Sequence, residues 1–143
     1  MSEPPPFSPT IMLLTVSRVW EAALADALKP LGLTIRKYGM LGHIRGTPDI
    51  SFSELARRSR ITVQSAHAAV TGFVAAGWVD DGTAHAGSAS TLRVTPEGAA
   101  LLDRAAAHVR RLDADFTARS PELAQTLRLQ MTRLTGDNPA TFS

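Results

Sequence analysis

The first stretch of helical periodicity lies between residues 8 and 33. Ser8 and Pro9 are a capping hydroxyl followed by a ring that fixes φ at the first helical position, and Pro30 and Gly32 end the pattern. Between these signals the apolar residues that recur at helical spacing are Leu13, Val16, Trp20, Leu24, Ala27, Leu28 and Leu31. The stripe is widened beyond one face by Met12, Val19, Ala22 and Ala23. We therefore expect this helix to pack against two partners.

Three shorter helices are predicted next. Thr34 can cap a helix that ends before Gly46, and Ser53 with Glu54 can open a short helix from Glu54 to about Ser59. After a turn, Thr62 can cap a helix that runs to Ala76 and ends at Gly77. The residues on its inner side are Ala66, Ala69, Val70 and Phe73, and those on its outer side are Gln64, His67, Ala68 and Thr71. Two short helices joined by a tight turn, with this division of faces, indicate a helix-turn-helix.

A two-stranded hairpin and two further helices complete the pattern. Val79 and the alternating segment 91–95 flank a stretch rich in Gly, Ala, Ser and Asp, which favours a wing with a long tip. A cap, a proline and an acid recur at Thr95 and again at Ser120, and each opens a helix with apolar residues three and four apart; Gly136 is expected to end the fold. The predicted fold class is mainly α with a small β-hairpin wing (α+β), preceded by an extended or disordered arm at residues 1–7.

The charge of the chain is concentrated in one segment. The 143 residues carry a formal net charge of +2, with 15 Lys and Arg against 13 Asp and Glu. Residues 36–60 hold six basic residues, Arg36, Lys37, Arg45, Arg57, Arg58 and Arg60, but only two acidic ones, Asp49 and Glu54. A run of this size is often only a solvated face. It points to an anionic partner only because it accompanies a predicted helix-turn-helix.

Several kinds of chemistry have no residues to support them. The chain has no cysteine, which excludes disulfides, thiolate metal sites and thiol-based redox sensing. His43, His67, His85 and His108 lack metal-ligand spacing, and no phosphate-binding glycine loop, nucleophile elbow or apolar carboxylate pair occurs. No segment has the roughly 18 to 20 apolar residues of a membrane span. We expect a cytoplasmic protein that is not an enzyme and needs no cofactor or metal.

Four short motifs accompany this order of elements: Gly32-Leu33-Thr34, Ser53-Glu54-Leu55-Ala56, Gly77-Trp78-Val79 and Val94-Thr95-Pro96-Glu97-Gly98. Together with the order of elements, they resemble the MarR family of bacterial winged-helix regulators. The resemblance covers roughly residues 8–134. It implies a homodimer in which helices of segments 8–33 and 96–136 interlock, a winged helix-turn-helix domain at 34–95, and a tail at 137–143. It also implies a repressor of palindromic promoter DNA that a small, often aromatic or phenolic, ligand releases.

The resemblance places DNA contacts on the helix-turn-helix and the wing. Arg57, Arg58 and Arg60 are the expected phosphate contacts, with Arg93 as a possible addition from the wing. Gln64 has the amide that pairs bidentately with adenine, and Ser65 and His67 can reach base edges. His67 fits an idle surface residue equally well. Thr62, at the start of the same helix, is also an expected DNA contact.

The chain also departs from the family pattern at its DNA-facing positions. Val63, Ala68 and Gly72 stand where the family usually has basic residues, and Ala86 and Ser88 stand in place of the wing Asp-x-Arg signature. Asp81 occupies another position that is commonly basic. These departures keep a second interpretation open, in which the module binds a protein and has weak or lost DNA affinity. An enzyme with an unrecognised site is a third class, without visible residues.

Four residues are candidates for a ligand pocket. In the resembled family, the first and second helices wall a cavity between the dimerisation and DNA-binding regions. Trp20 and Tyr38 lie on these helices, and Arg18 and His43 are the polar groups that could orient an anionic ring. Aromatic residues at helical spacing are also ordinary core residues. Because cysteine is absent, a thiol-oxidation switch is excluded.

Overall fold

Six helices and a two-stranded antiparallel sheet form the described part of the chain. The computed structural model describes residues 2–82 and 91–137. The helices are α1 (Pro9–Leu28), α2 (Ile35–Gly46), α3 (Phe52–Ser59), α4 (Val63–Ala75), α5 (Pro96–Arg119) and α6 (Pro121–Asp137), and a 3-10 turn (Lys29–Leu31) follows α1. The strands are β1 (Val79–Asp80) and β2 (Arg93–Val94). This arrangement confirms the predicted fold class.

Side-chain caps begin α1, α2, α4 and α5 where the sequence predicts them. The hydroxyls of Ser8, Thr34, Thr62 and Thr95 each accept a hydrogen bond from a backbone N–H three residues later. The prediction for α3 is wrong by two residues: Ser51 is the cap, its Oγ accepting from Glu54 N at 3.1 Å, and the helix begins at Phe52. The predicted stop at Gly136 is also wrong, because α6 continues to Asp137.

The base of the wing is joined to both neighbouring helical segments. Val79 pairs with Val94 and Asp80 with Arg93, and Leu92 forms an isolated antiparallel bridge to Ile50 just before α3. Gly98 lies so close to this hairpin that an added Cβ would be 2.2 Å from the Trp78 carbonyl oxygen. The N-terminus of α5 therefore rests directly on the wing.

The hydrophobic core lies among α2, α3, α4, the hairpin and the first half of α5. Its largest fully buried side chains are Phe73, Leu28, Met40, Leu41, Ile44, Leu55, Leu92, Leu102 and Val70. Because α2, α3, α4 and α5 each supply apolar side chains to this cluster, the helix-turn-helix packs directly against the start of α5.

The terminal helices leave much of their apolar surface uncovered. α1 packs against α5, and α5 packs against α6. Exposed large apolar side chains on α1 are Ile11, Met12, Leu13, Leu14 and Val19, and those on α6 are Leu123, Leu127, Leu129 and Met131. The sequence predicts that α1 packs against two partners. Within the single chain α1 packs against α5, and the side that carries these exposed residues is uncovered. Within residues 2–82 and 91–137, no helix is long and apolar enough to cross a membrane.

Candidate nucleic-acid interface

A left-handed residue makes the turn between α3 and α4 tight. Arg60 follows α3 with φ 55°, and its backbone N–H donates to the carbonyls of Ala56 and Arg57. The N–H of Ile61 donates to the same Ala56 carbonyl at 3.0 Å. These bonds satisfy the end of α3 within two residues, so Thr62 can cap α4 immediately. The guanidinium of Arg60 belongs to an exposed residue that forms no ion pair with another described residue.

The two sides of α4 have the predicted burial. Ala66, Val70 and Phe73 are buried, and the predicted base-reading residues Gln64, Ser65 and His67 are exposed. The Thr62 hydroxyl accepts from Ser65 N at 3.0 Å and donates to Ser65 Oγ at 2.9 Å. Thr62 and Ser65 are thus engaged in capping, while Gln64 presents its amide from the first turn of α4.

Glu54 binds both arginines of α3. Arg57 donates from Nε to Oε2 at 2.9 Å and from Nη2 to Oε1 at 2.5 Å, and Arg58 donates from Nε to Oε1 at 2.9 Å. Arg58 also donates to the Thr47 hydroxyl at 2.9 Å. The hydrogen bonds from Arg57 and then Arg58 lower the pKa of Glu54 to about 2. The sequence analysis missed this role of Glu54, although its spacing of three and four residues from the arginines was a usable signal.

Arg93 is held by a carboxylate from the loop between α2 and α3. Its Nε donates to Asp49 Oδ1 at 3.1 Å and its Nη2 to Oδ2 at 2.8 Å, which raises the pKa of Arg93. Asp49 has φ 65°, and its backbone N–H donates to the Leu92 carbonyl at 3.0 Å. The predicted phosphate contact of the wing is therefore already in an ion pair.

His67 has an aromatic neighbour that the sequence analysis did not identify. Its ring stacks on Phe52, the first residue of α3, with 3.8 Å between centroids and 16° between planes. The sequence interpretation of His67 weighed only an idle surface residue and a base contact.

The tip of the wing is not part of the described structure. Ala86 and Ser88, the positions of the absent Asp-x-Arg signature, lie outside the described residues, as does His85. At the described base of the wing, Asp80 Oδ1 accepts from the N–H of Gly82 at 2.9 Å.

A largely apolar cavity of about 490 Å³ lies among α1, α5, α6 and the start of α2. Trp20 and Phe116 meet in its wall, edge to face, with their centroids 4.7 Å apart. Arg18 lines a second, neighbouring pocket, and Glu21 lines both.

The other two predicted ligand residues line neither of these pockets. Tyr38 is half-buried and packs against the core. His43 is also half-buried, and its burial, followed by the charge of Arg58, lowers its pKa. Of the four predicted residues, the structure therefore brings Trp20 and Arg18 to neighbouring pockets and leaves Tyr38 and His43 apart from them.

Comparisons with known proteins place these features in context. A model described as the MarR family matches residues 31–86. The HTH-type transcriptional repressor Rv2887 of Mycobacterium tuberculosis is 33% identical over 109 residues, which are 76% of this chain and 78% of the relative.

Two solved structures of the M. tuberculosis MarR family protein Rv2887 are also similar to this chain. The complex with DNA has a TM-score of 0.74 and 29% identity, covering 88% of this chain and 97% of that one. The complex with salicylic acid has a TM-score of 0.69 and 29% identity, covering 89% and 96%.

Proposed function

Because this chain belongs to the MarR family, we propose that it is a dimeric transcriptional repressor that binds palindromic promoter DNA and is released by a small aromatic acid. It is a regulator, not an enzyme, and it acts on DNA in the cytoplasm. The observation that carries the proposal is the helix-turn-helix whose second helix, α4, has an exposed outer side. Residues 34–95 are the DNA-binding unit, and residues 8–33 and 96–136 supply the dimer contacts.

The proposed DNA contacts are of two kinds: phosphate contacts that position the protein and base contacts that read the sequence. Arg57 and Arg60 are exposed at the C-terminal end of α3, next to α4, where cations can contact phosphates on either side of the major groove. Arg57 must exchange its bonds to Glu54 for such a contact, whereas Arg60 forms no ion pair with another described residue. Gln64 lies in the first turn of α4, the part of a recognition helix that reaches base edges. Two copies related by a two-fold axis then require a roughly palindromic operator.

Fluorescence anisotropy with a duplex from the region upstream of the protein's own gene, titrated with salt, tests DNA binding. We expect binding at low salt and an affinity that falls as salt rises, because phosphate contacts release counterions. No binding at low salt, or binding without a salt slope, contradicts the proposal. Gln64→Ala is expected to weaken the preference for the operator over other sequences, which competition with unrelated duplexes measures.

Arg60 gives the most direct test of a phosphate contact. Arg60→Asn removes the charge and keeps a residue that tolerates φ 55°. We expect the salt slope to fall by about one per subunit. The matched control is Arg119→Asn on α5, an exposed arginine that is paired with Asp115 at 3.0 Å and lies outside the helix-turn-helix. Equal slopes for the two variants contradict the assignment of Arg60.

A protein-binding module with weak DNA affinity is the second candidate. The observation that favours it is charge: α4 has no Lys or Arg, and Arg57, Arg58 and Arg93 are each paired with a carboxylate. The same titration separates the candidates, since this module gives no salt-dependent DNA binding.

The effector proposal rests on the cavity at Trp20. Rv2887 has been solved with salicylic acid, and here an apolar cavity of about 490 Å³ is lined by Trp20 together with the carboxylates Glu21 and Asp113, while Arg18 lines the neighbouring pocket. The apolar lining suits an aromatic ring, and Arg18 is the cation that its carboxylate would meet. Because an effector acts only by its different affinity for two arrangements, it must bind the DNA-free form more tightly.

Calorimetric titration with salicylate tests the effector. We expect binding to the wild type, weaker binding to Trp20→Ala, and release of the operator duplex at the salicylate concentrations that saturate the protein. Trp78→Phe, a change of the other tryptophan at the base of the wing, is the control and should bind normally. Salicylate binding that leaves DNA affinity unchanged contradicts an effector role.

A further inference from the structure

The ring of His67 on α4 stacks on the ring of Phe52, which packs against the hydrophobic core. His67 is exposed, whereas Phe52 is half-buried at the first position of α3 and packs against the buried cluster. The two rings are nearly parallel, 3.8 Å apart and tilted by 16°. An exposed side chain of the recognition helix is thus attached to the hydrophobic core through Phe52.

The stack restricts what the imidazole of His67 can do. Phe52 covers one face of the ring, but His67 is an exposed residue. The ring edge that carries Nδ1 and Nε2 can therefore meet a polar partner, and at least one of these nitrogens bears a proton. The backbone is held as well, because the Thr71 hydroxyl donates to the His67 carbonyl at 2.9 Å. A donor that is already fixed in this way loses little side-chain entropy when it binds.

Two hydroxyl donors near α4 are committed, and the amide of Gln64 suits a different base. The hydroxyl hydrogens of Thr62 and Thr71 are donated to Ser65 Oγ and the His67 carbonyl. The amide of Gln64 matches the acceptor and donor of adenine. Guanine instead presents two adjacent acceptors, N7 and O6, to the major groove, and α4 has no Lys or Arg to meet them.

We propose that Phe52 is a positioning residue for His67, and that the ring N–H of His67 donates to N7 of a guanine in the major groove of the operator. The inference rests on the proposed function, since it assigns one base contact within the DNA-binding surface. Guanine is favoured over adenine because its O6 adds a second acceptor beside N7, whereas the adenine amino group beside N7 opposes an N–H donor.

Anisotropy with substituted operator duplexes tests both parts of this inference. Each guanine of one half-site is replaced in turn by 7-deazaguanine, which removes N7 and keeps base pairing. We expect one replacement to weaken binding of the wild type about fivefold. His67→Ala and Phe52→Leu should bind the natural duplex and that substituted duplex with affinities within about twofold of each other. Phe52→Tyr keeps the ring and should restore the discrimination.

Every other outcome overturns a stated part of this inference. Wild-type discrimination in Phe52→Leu overturns the positioning role, and the same result in His67→Ala overturns the contact. Equal affinity of the wild type for every substituted duplex overturns the guanine assignment and leaves the proposed function standing. No DNA binding at any salt concentration overturns the proposed function and this inference together. Thermal unfolding checks each variant, and Phe52→Met replaces Phe52→Leu if the latter does not fold.

Discussion

The carboxylate of Glu54 is the shared ion-pair partner of Arg57 and Arg58 on α3. Its pKa falls from 4.5 to about 2 because Arg57 and Arg58 donate hydrogen bonds to its carboxylate. The folded pKa is lower than the unfolded one, so the unfolded chain takes up the proton first as the solution is acidified. The stability that this group contributes is therefore complete above about pH 4.5 and is lost as the pH falls towards 2.

Glu54→Gln should accordingly lower the unfolding temperature at neutral pH, with a difference from the wild type that shrinks between pH 4.5 and 2. Thermal unfolding followed by circular dichroism across this range measures it. In an Arg57→Ala, Arg58→Ala background, the same substitution should have little effect at any pH. A difference that does not change with pH contradicts the pairing as its cause.

Asp49 competes with DNA for the guanidinium of Arg93. A phosphate must replace a carboxylate that already accepts two hydrogen bonds from Arg93, so Arg93 adds little to counterion release. Asp49→Asn removes the competing charge, and asparagine tolerates the left-handed backbone at this position. We expect the salt slope of DNA binding to steepen by about 0.9 per subunit in Asp49→Asn. Arg93→Ala should leave the wild-type slope nearly unchanged, and a fall by the same amount contradicts this account.

At the residue scale, the sequence could locate the site but not its pairings. The exposure of Gln64 and His67 follows from the helical period of α4. The partner of Arg93 is 44 residues away in the chain, and the stack of His67 on Phe52 joins two helices. Such contacts depend on how elements pack, which a single sequence does not encode locally.

The contact between α5 and the wing depends on a residue without a side chain. A Cβ at Gly98 would meet the Trp78 carbonyl oxygen at 2.2 Å and Val94 Cγ1 at 2.9 Å, and the backbone atom cannot turn away. We expect Gly98→Ala to destabilise the fold by about 1 to 3 kcal/mol, measured by chemical denaturation. Gly42→Ala is the matched control: it lies in α2 with nothing within 4 Å of the added Cβ, and it should stabilise by up to about 1 kcal/mol. Equal effects contradict the close approach at Gly98.

Among the elements, helix starts were more predictable than strands. A capping side chain acts on a backbone N–H three residues away, so Thr34, Thr62 and Thr95 could be identified from local sequence. Ser51 was missed because Ser53, beside Glu54, offers the same chemistry two residues later. The bridge between Ile50 and Leu92 involves one residue on each side, too short for an alternating pattern to reveal.

At the scale of the whole molecule, the exposed apolar sides of α1 and α6 support the proposed dimer. A monomer that exposes Leu127 and Met131 beside the apolar residues of α1 leaves a large hydrophobic surface in water. We expect analytical ultracentrifugation to show a dimer, and Leu127→Glu to shift it towards the monomer and reduce DNA binding with it. Val74→Glu, an exposed apolar residue on α4, is the control and should remain dimeric. A monomeric wild type contradicts the role of these helices.

The uncovered side of α1 also ties the activity of the proposed dimer to its copy number. In that dimer, two chains must meet before either terminal helix is covered, so the population of the dimer rises with the square of the free-chain concentration when chains are scarce. Control of a gene by the proposed dimer is therefore sensitive to dosage: repression weakens more than in proportion when growth and division dilute the chains.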